Sequence, residues 1–175
     1  NSASSTLNYV AEGGVTTGSW ASGGSLNVTR KGIQGFGTQT AAIAVGGQGS
    51  PNNTAQALCE AYNGSSWTEV NNVNTGKVYR GNCGVQTAGL LVGGGPSVGD
   101  VEEWDGTSWA ETANYPGNIT FPQQLGVQTA AFVIGGSVPP LTTATNTYNG
   151  TAFTGSTAIN TARAEGASAG TTTAA

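Results

Sequence analysis

No histidine and no methionine occur in the 175 residues, and charged side chains make up only 8 % of them, against about 25 % in an average globular domain. Without histidine there is no Ser-His-Asp or Cys-His base for nucleophilic catalysis. Two cysteines, Cys59 and Cys83, fall short of a zinc ligand set. They read either as a pair bridged across adjacent strands or as two small buried apolar residues. The five cations (Arg30, Lys31, Lys77, Arg80 and Arg163) form no run, and the formal net charge is −4. This argues against a nucleic-acid partner, which needs clustered Lys and Arg. No apolar stretch is long enough to cross a bilayer as a helix, so no membrane insertion is expected. There is no signal-peptide pattern. The missing initiator leads to the expectation of a processed chain or a segment of a longer one.

Carboxylates are also too few and badly placed for acid–base work. Glu102 and Glu103 are adjacent on an expected strand and so face opposite ways. Asp100, Glu102, Glu103 and Asp105 lie close in sequence but lack the spacing of a calcium loop. No glycine-rich loop leads into a helix or carries the phosphate-binding Lys-Ser/Thr pair. The expectation is a protein that is not an enzyme, with no cofactor and no metal site.

What is present is a repeat. Four Trp, five Tyr, four Phe and recurring Val/Ile/Leu blocks indicate a folded chain. Gly37-Thr-Gln-Thr-Ala-Ala-Ile-Ala-Val-Gly-Gly47 returns as Gly84-Val-Gln-Thr-Ala-Gly-Leu-Leu-Val-Gly-Gly94. It returns again as Gly126-Val-Gln-Thr-Ala-Ala-Phe-Val-Ile-Gly-Gly136, and begins once more at Gly170. A second motif keeps step: Tyr62-Asn-Gly-Ser-Ser-Trp67, Trp104-Asp-Gly-Thr-Ser-Trp109 and Tyr148-Asn-Gly-Thr-Ala-Phe153, with a worn copy ending at Trp20. In all four copies the second aromatic precedes the glycine of the first motif by 17 residues. A cation follows that aromatic by ten residues at Arg30, Lys77 and Arg163, but Ile119 takes the place in the third copy.

Each unit reads as four short strands. The small, apolar Thr-Ala-Ala-Ile-Ala-Val type run suits a strand buried on both faces. Asn-Gly or Asp-Gly between the aromatics predicts a type I′ hairpin, which needs positive φ at both central residues. A period of 42–47 residues with four strands per unit is the pattern of propeller blades. The recurring aromatics are expected to pack between blades, and the recurring cations to donate to loop carbonyls.

The double glycine, aromatic, tryptophan and cation together resemble the kelch repeat over essentially the whole chain. The two aromatics lie only five residues apart, a tighter hairpin than that family favours. The Asn-Gly-Ser-Ser-Trp-Thr-Glu and Gly-Thr-Gln-Thr-Ala-Ala style resembles kelch-like repeats of phage and environmental-virus structural proteins of fibre type. The resemblance implies an all-β, kelch-like β-propeller of four-stranded antiparallel blades, about four repeats with the first and last incomplete. Residues 1–175 form one repeat domain, with blades at about 29–67, 77–109 and 119–153. Residues 163–175 and 1–20 share a further blade, or the chain is a segment of something longer or assembles with other copies. Copper-ligating kelch-like oxidases need a histidine that is absent here.

Function is expected where repeats differ, because loops vary on a held scaffold. Those loops are 48–54, 95–100 and 137–143, together with the inter-blade connections 71–74, 114–118 and 159–160. They make a polar, Asn-rich rim suited to sugar hydroxyls. The candidate binding residues are Asn52, Asn53, Asn72, Asp100, Tyr115, Asn118 and Thr142, with Tyr115 as the expected exposed aromatic. The leading expectation is a non-enzymatic virion or extracellular fibre-type protein that presents these loops to host-surface glycans and contacts other virion or fibre subunits. A purely architectural decoration or shaft protein, and a cellular adhesin or lectin, are the alternatives.

Overall fold

The structure, a computed structural model, describes residues 21–95, 99–137 and 139–172. The worn first hairpin motif, with Trp20, and the last three residues of the fourth copy lie outside the described residues. Every regular element among those described is a β-strand, and every pairing is antiparallel.

Unit one contains β1 (Arg30–Lys31), β2 (Gln34–Thr38), β3 (Ala41–Val45), β4 (Gln48–Gly49), β5 (Cys59–Tyr62) and β6 (Trp67–Val70). β2-β3-β5-β6 is a four-stranded sheet, and β1 and β4 form a small separate ladder. Unit two is the sheet β7 (Gly81–Val85), β8 (Ala88–Val92), β9 (Val101–Trp104) and β10 (Trp109–Glu111). Unit three is β11 (Gln123–Val127), β12 (Ala130–Ile134), β13 (Thr145–Tyr148) and β14 (Phe153–Ser156). Each is a blade-like meander in chain order. The first strands β2, β7 and β11 are neighbours in turn. The start of the fourth unit lies against β11, where Ser168 Oγ donates to Gln124 O at 2.7 Å. Gly35, Asn82, Gln124 and Ser168, one from each unit, line a common passage.

The hydrophobic core lies between blades, not within them. One cluster joins Phe36, Ile43, Val45 and Cys59 of unit one to Leu91, Trp104 and Trp109 of unit two. The next joins Leu90, Val92 and Val101 of unit two to Ala131, Val133 and Tyr148 of unit three. Burying each large apolar side chain stabilises by about 1.5–3 kcal/mol, so one blade alone, with both faces wet, has little to hold it. Two amides fasten neighbouring blades. Gln86 Nε2 donates to Ala42 O and Tyr62 O, and Gln128 Nε2 to Gly89 O and Trp104 O. Gly89 replaces the alanine found at this position elsewhere because a Cβ there would stand 2.1 Å from Phe36 Cζ of the preceding blade.

The double glycine is an inter-blade joint. Gly94 N–H donates to Ile119 O at 2.9 Å, and Gly136 N–H to Arg163 O at 2.8 Å. At Gly93, with φ of 68°, a Cβ would lie 2.4 Å from that same Ile119 oxygen. Positive φ and the approach of the next unit's backbone both require glycine.

Of the recurring aromatics, Trp109 packs between blades as expected, whereas Trp67 and Phe153 pack chiefly on the first aromatic of their own hairpins. Trp109 is buried, its ring edge-on to Phe36 of the neighbouring blade, while Trp67 and Phe153 are half-buried against Tyr62 and Tyr148. The hairpins differ from expectation. Tyr62 pairs with Trp67, which leaves a four-residue loop, and Gly64 has positive φ but Asn63 does not. Asn63 Oδ1 instead accepts the N–H groups of Ser65 and Ser66. Asp105 and Asn149 do the same in the other units. The side chain closes the turn, so a second left-handed residue is unnecessary.

The cysteines are both free and sit in different clusters. Burial pushes both thiols up to about 11, so they behave as small apolar residues rather than as nucleophiles.

Candidate functional site

The four inner segments share an unusual entry. Five residues before the motif glycine stand Gly32, Tyr79, Phe121 and Glu165, all left-handed, with φ of 61°, 61°, 53° and 60°. For a bulky aromatic this costs of order 1–3 kcal/mol and persists only when its surroundings enforce it. Here Phe121 N–H donates to Tyr79 O at 2.8 Å, and Glu165 N–H to Phe121 O at 3.4 Å. The Tyr79 and Phe121 rings stack with centroids 4.2 Å apart. Tyr79, Phe121 and Glu165 are thus linked in turn by backbone hydrogen bonds, with two stacked rings among them, and form a collar along one wall of a cleft.

Inside the collar is a cleft of about 340 Å³, whose walls include Gln34, Arg80, Asn82, Gln123, Gln124 and Ser168. Arg80 is buried, and its Nη1 donates to Glu102 Oε1 at 2.6 Å. Gln34 Nε2 donates to Gly32 O, and Gln124 Nε2 to Cys83 Sγ. Gln34 Oε1, Gln123 Nε2 and Gln124 Oε1 are buried without a protein partner among the described residues. The cleft therefore offers amide donors and acceptors beneath an aromatic pair, with the guanidinium already neutralised by its own carboxylate.

None of the seven residues expected on the rim lines this cleft. Asn52 and Asn53 are exposed beside a turn closed by Gly49 N–H to Thr54 O, and Asn53 lines a separate 190 Å³ hollow with Arg30 and Gln48. Asn72 accepts Cys59 N–H, a structural task. Asp100 pairs with Lys77. Thr142 Oγ1 accepts Ala144 N–H, and Asn118 is exposed.

Tyr115 corrects the expectation directly. It is 6 % exposed, packed in the core between units two and three, and its hydroxyl accepts from Asn146 Nδ2 at 2.7 Å. A linker residue at a blade seam looks like a loop residue in sequence, but the next blade covers it. Tyr115 stands where Val73 and Ile159 stand in the other linkers, and that alignment carries the signal of a core position. The same comparison down the repeats exposes the collar, because Gly, Tyr, Phe and Glu occupy one position in otherwise similar units.

Glu103 and Asp105 are engaged separately. Glu103 accepts from the Tyr148 hydroxyl, opposite to Glu102, and Asp105 holds its hairpin. Arg30 donates to Gly46 O and Leu58 O, the loop-carbonyl role expected of it, and also reaches Glu60. Lys77 instead spends its charge on Asp100.

No family model matches the chain, and no curated protein matches its sequence.

Proposed function

We propose that this chain is a non-enzymatic binding module, a kelch-type propeller segment of a virion-associated or extracellular fibre-type protein that attaches to host-surface glycans. The observation that carries the binding role is the collar cleft: stacked Tyr79 and Phe121 over the unpartnered amides of Gln34, Gln123 and Gln124. Saccharides present apolar ring faces to aromatics and paired donors and acceptors to amides. Backbone strain concentrated at this collar supports a functional reading. The viral setting is supported by the style of the repeat.

The test is a glycan array followed by calorimetric titration of any retained oligosaccharide. Binding that falls at least tenfold in Tyr79→Ala and Phe121→Ala supports the reading. An array without retained glycans, or binding indifferent to both variants, overturns it. An architectural subunit is the second reading. It is favoured by Val85 and Val127, exposed at equivalent positions at the ends of β7 and β11 remote from the collar. Gold-labelled antibody spread along a shaft or capsid, rather than at fibre tips, would select it.

A further inference from the structure

The collar differs on the two sides of Phe121. On one side Tyr79 covers the ring, the two stacked with centroids 4.2 Å apart. On the other side the next collar residue is Glu165 rather than a third ring, and its N–H reaches Phe121 O. Glu165 is exposed and lines the cleft of about 340 Å³. Its carboxylate makes no ion pair and no hydrogen bond among the described residues.

Only two of the side chains lining the cleft are charged, Arg80 and Glu165. Arg80 is spent on Glu102 at 2.6 Å, with both side chains enclosed. Arg80 Nε and Nη2 are buried as well, so its charge is not offered at the cleft surface. Arg163, two residues before Glu165, borders a different groove with Ile134 and Ile159. The cleft therefore presents one uncompensated negative charge beside an aromatic pair. An anionic ligand would meet Glu165 with no open cation to offset the repulsion.

A cation matches both features. The face of an aromatic ring carries negative potential and attracts an ammonium group. A carboxylate within reach adds a charge-assisted hydrogen bond to the same group. Each effect is modest at an exposed site, and the two together favour an ammonium-bearing ligand over its neutral counterpart by about tenfold.

We infer that the collar cleft selects saccharides that carry a free amine, with the ammonium group held between the Phe121 ring and the Glu165 carboxylate. The inference rests on the glycan reading of the same cleft. The test compares calorimetric titrations with chitosan and chitin oligosaccharides of equal length, in weakly acidic buffer where the amine is protonated. The parent should bind the amine form about tenfold more tightly than the acetylated form. Glu165→Gln should shrink that preference about fivefold, and Glu165→Asp, which keeps the charge, should retain most of it. Glu165 is exposed and its side chain touches no partner, so both variants should melt with the parent. Equal or tighter binding of the acetylated form overturns the inference and leaves the glycan reading standing. So does a preference unchanged in Glu165→Gln. A parent that binds neither oligosaccharide but retains other glycans on an array overturns this inference alone, and one that retains none overturns both readings.

Discussion

The seams of units one and two are charged, whereas the seam of unit three is neutral, although the backbones are alike. In unit one the Arg30 and Glu60 side chains are enclosed and 2.6 Å apart; in unit two Arg80 and Glu102 are equally close and equally buried. In unit three the tyrosine hydroxyl of Tyr115 meets the amide of Asn146, and Ile119 fills the space of the cation. A buried ion pair is stable only as a complete set, because the desolvation of one charge left alone is not offset. A neutral seam has no such all-or-none requirement. The difference explains why Pro116, Ile119 and Asn146 stand together in unit three where unit two has Asn74, Lys77 and Glu102.

The comparison can be broken hardest at Glu102. Glu102→Gln leaves the buried Arg80 guanidinium and Asn74 N–H without their anion, and should cost about 3–5 kcal/mol. Urea denaturation of the variant against the parent reads this. Converting unit one to the pattern of unit three, with Arg30→Ile, Glu60→Asn and, at the position equivalent to Tyr115, Leu26→Tyr together, should cost less than about 2 kcal/mol, because complete replacement of a buried pair is often near neutral. A triple variant as damaged as Glu60→Gln alone would show that the ion pair carries more than its own desolvation. In the neutral seam itself, Tyr115→Phe removes one hydrogen bond and should cost about 0.5–1.5 kcal/mol by the same measurement.

The smallest effect concerns the hairpins. Backbone hydrogen bonds from Ser108 and Thr107 hold the Asp105 carboxyl below its usual 3.8. A lowered folded-state value means stability that is present above the unfolded value and lost as pH falls through the folded one. Units one and three use Asn63 and Asn149 in the same role and do not titrate. Melts between pH 7 and pH 2 should therefore show a slightly shallower acid loss in Asp105→Asn than in the parent, the two drawing together at the acid end.

The strand plan was legible because it repeats. The run from Ala41 to Val45 and its copies, the double glycines and the aromatic pairs fix four strands per unit through alternation, turn residues and period. The hairpin loop was not legible in detail, since an Asn side chain closing a turn and an Asn-Gly type I′ turn share the same letters. Polarity and loop position mark the rim residues in sequence; of these Tyr115 is buried at a seam, and Asn72, Asp100 and Thr142 each make a contact within the scaffold. The collar residues were hidden because left-handed φ at Tyr79 and Phe121 is enforced by neighbouring units far off in sequence.

The sequence by itself determined an all-β chain of repeated, blade-like sheets without the groups for histidine-based or zinc chemistry. Local patterning suffices for that, because strand alternation and the positions of the turns are written in adjacent residues. Only the tertiary structure decided which polar residues line the cleft and which close a seam. Those roles depend on what the next blade covers, and the covering residues lie some forty positions away in the chain.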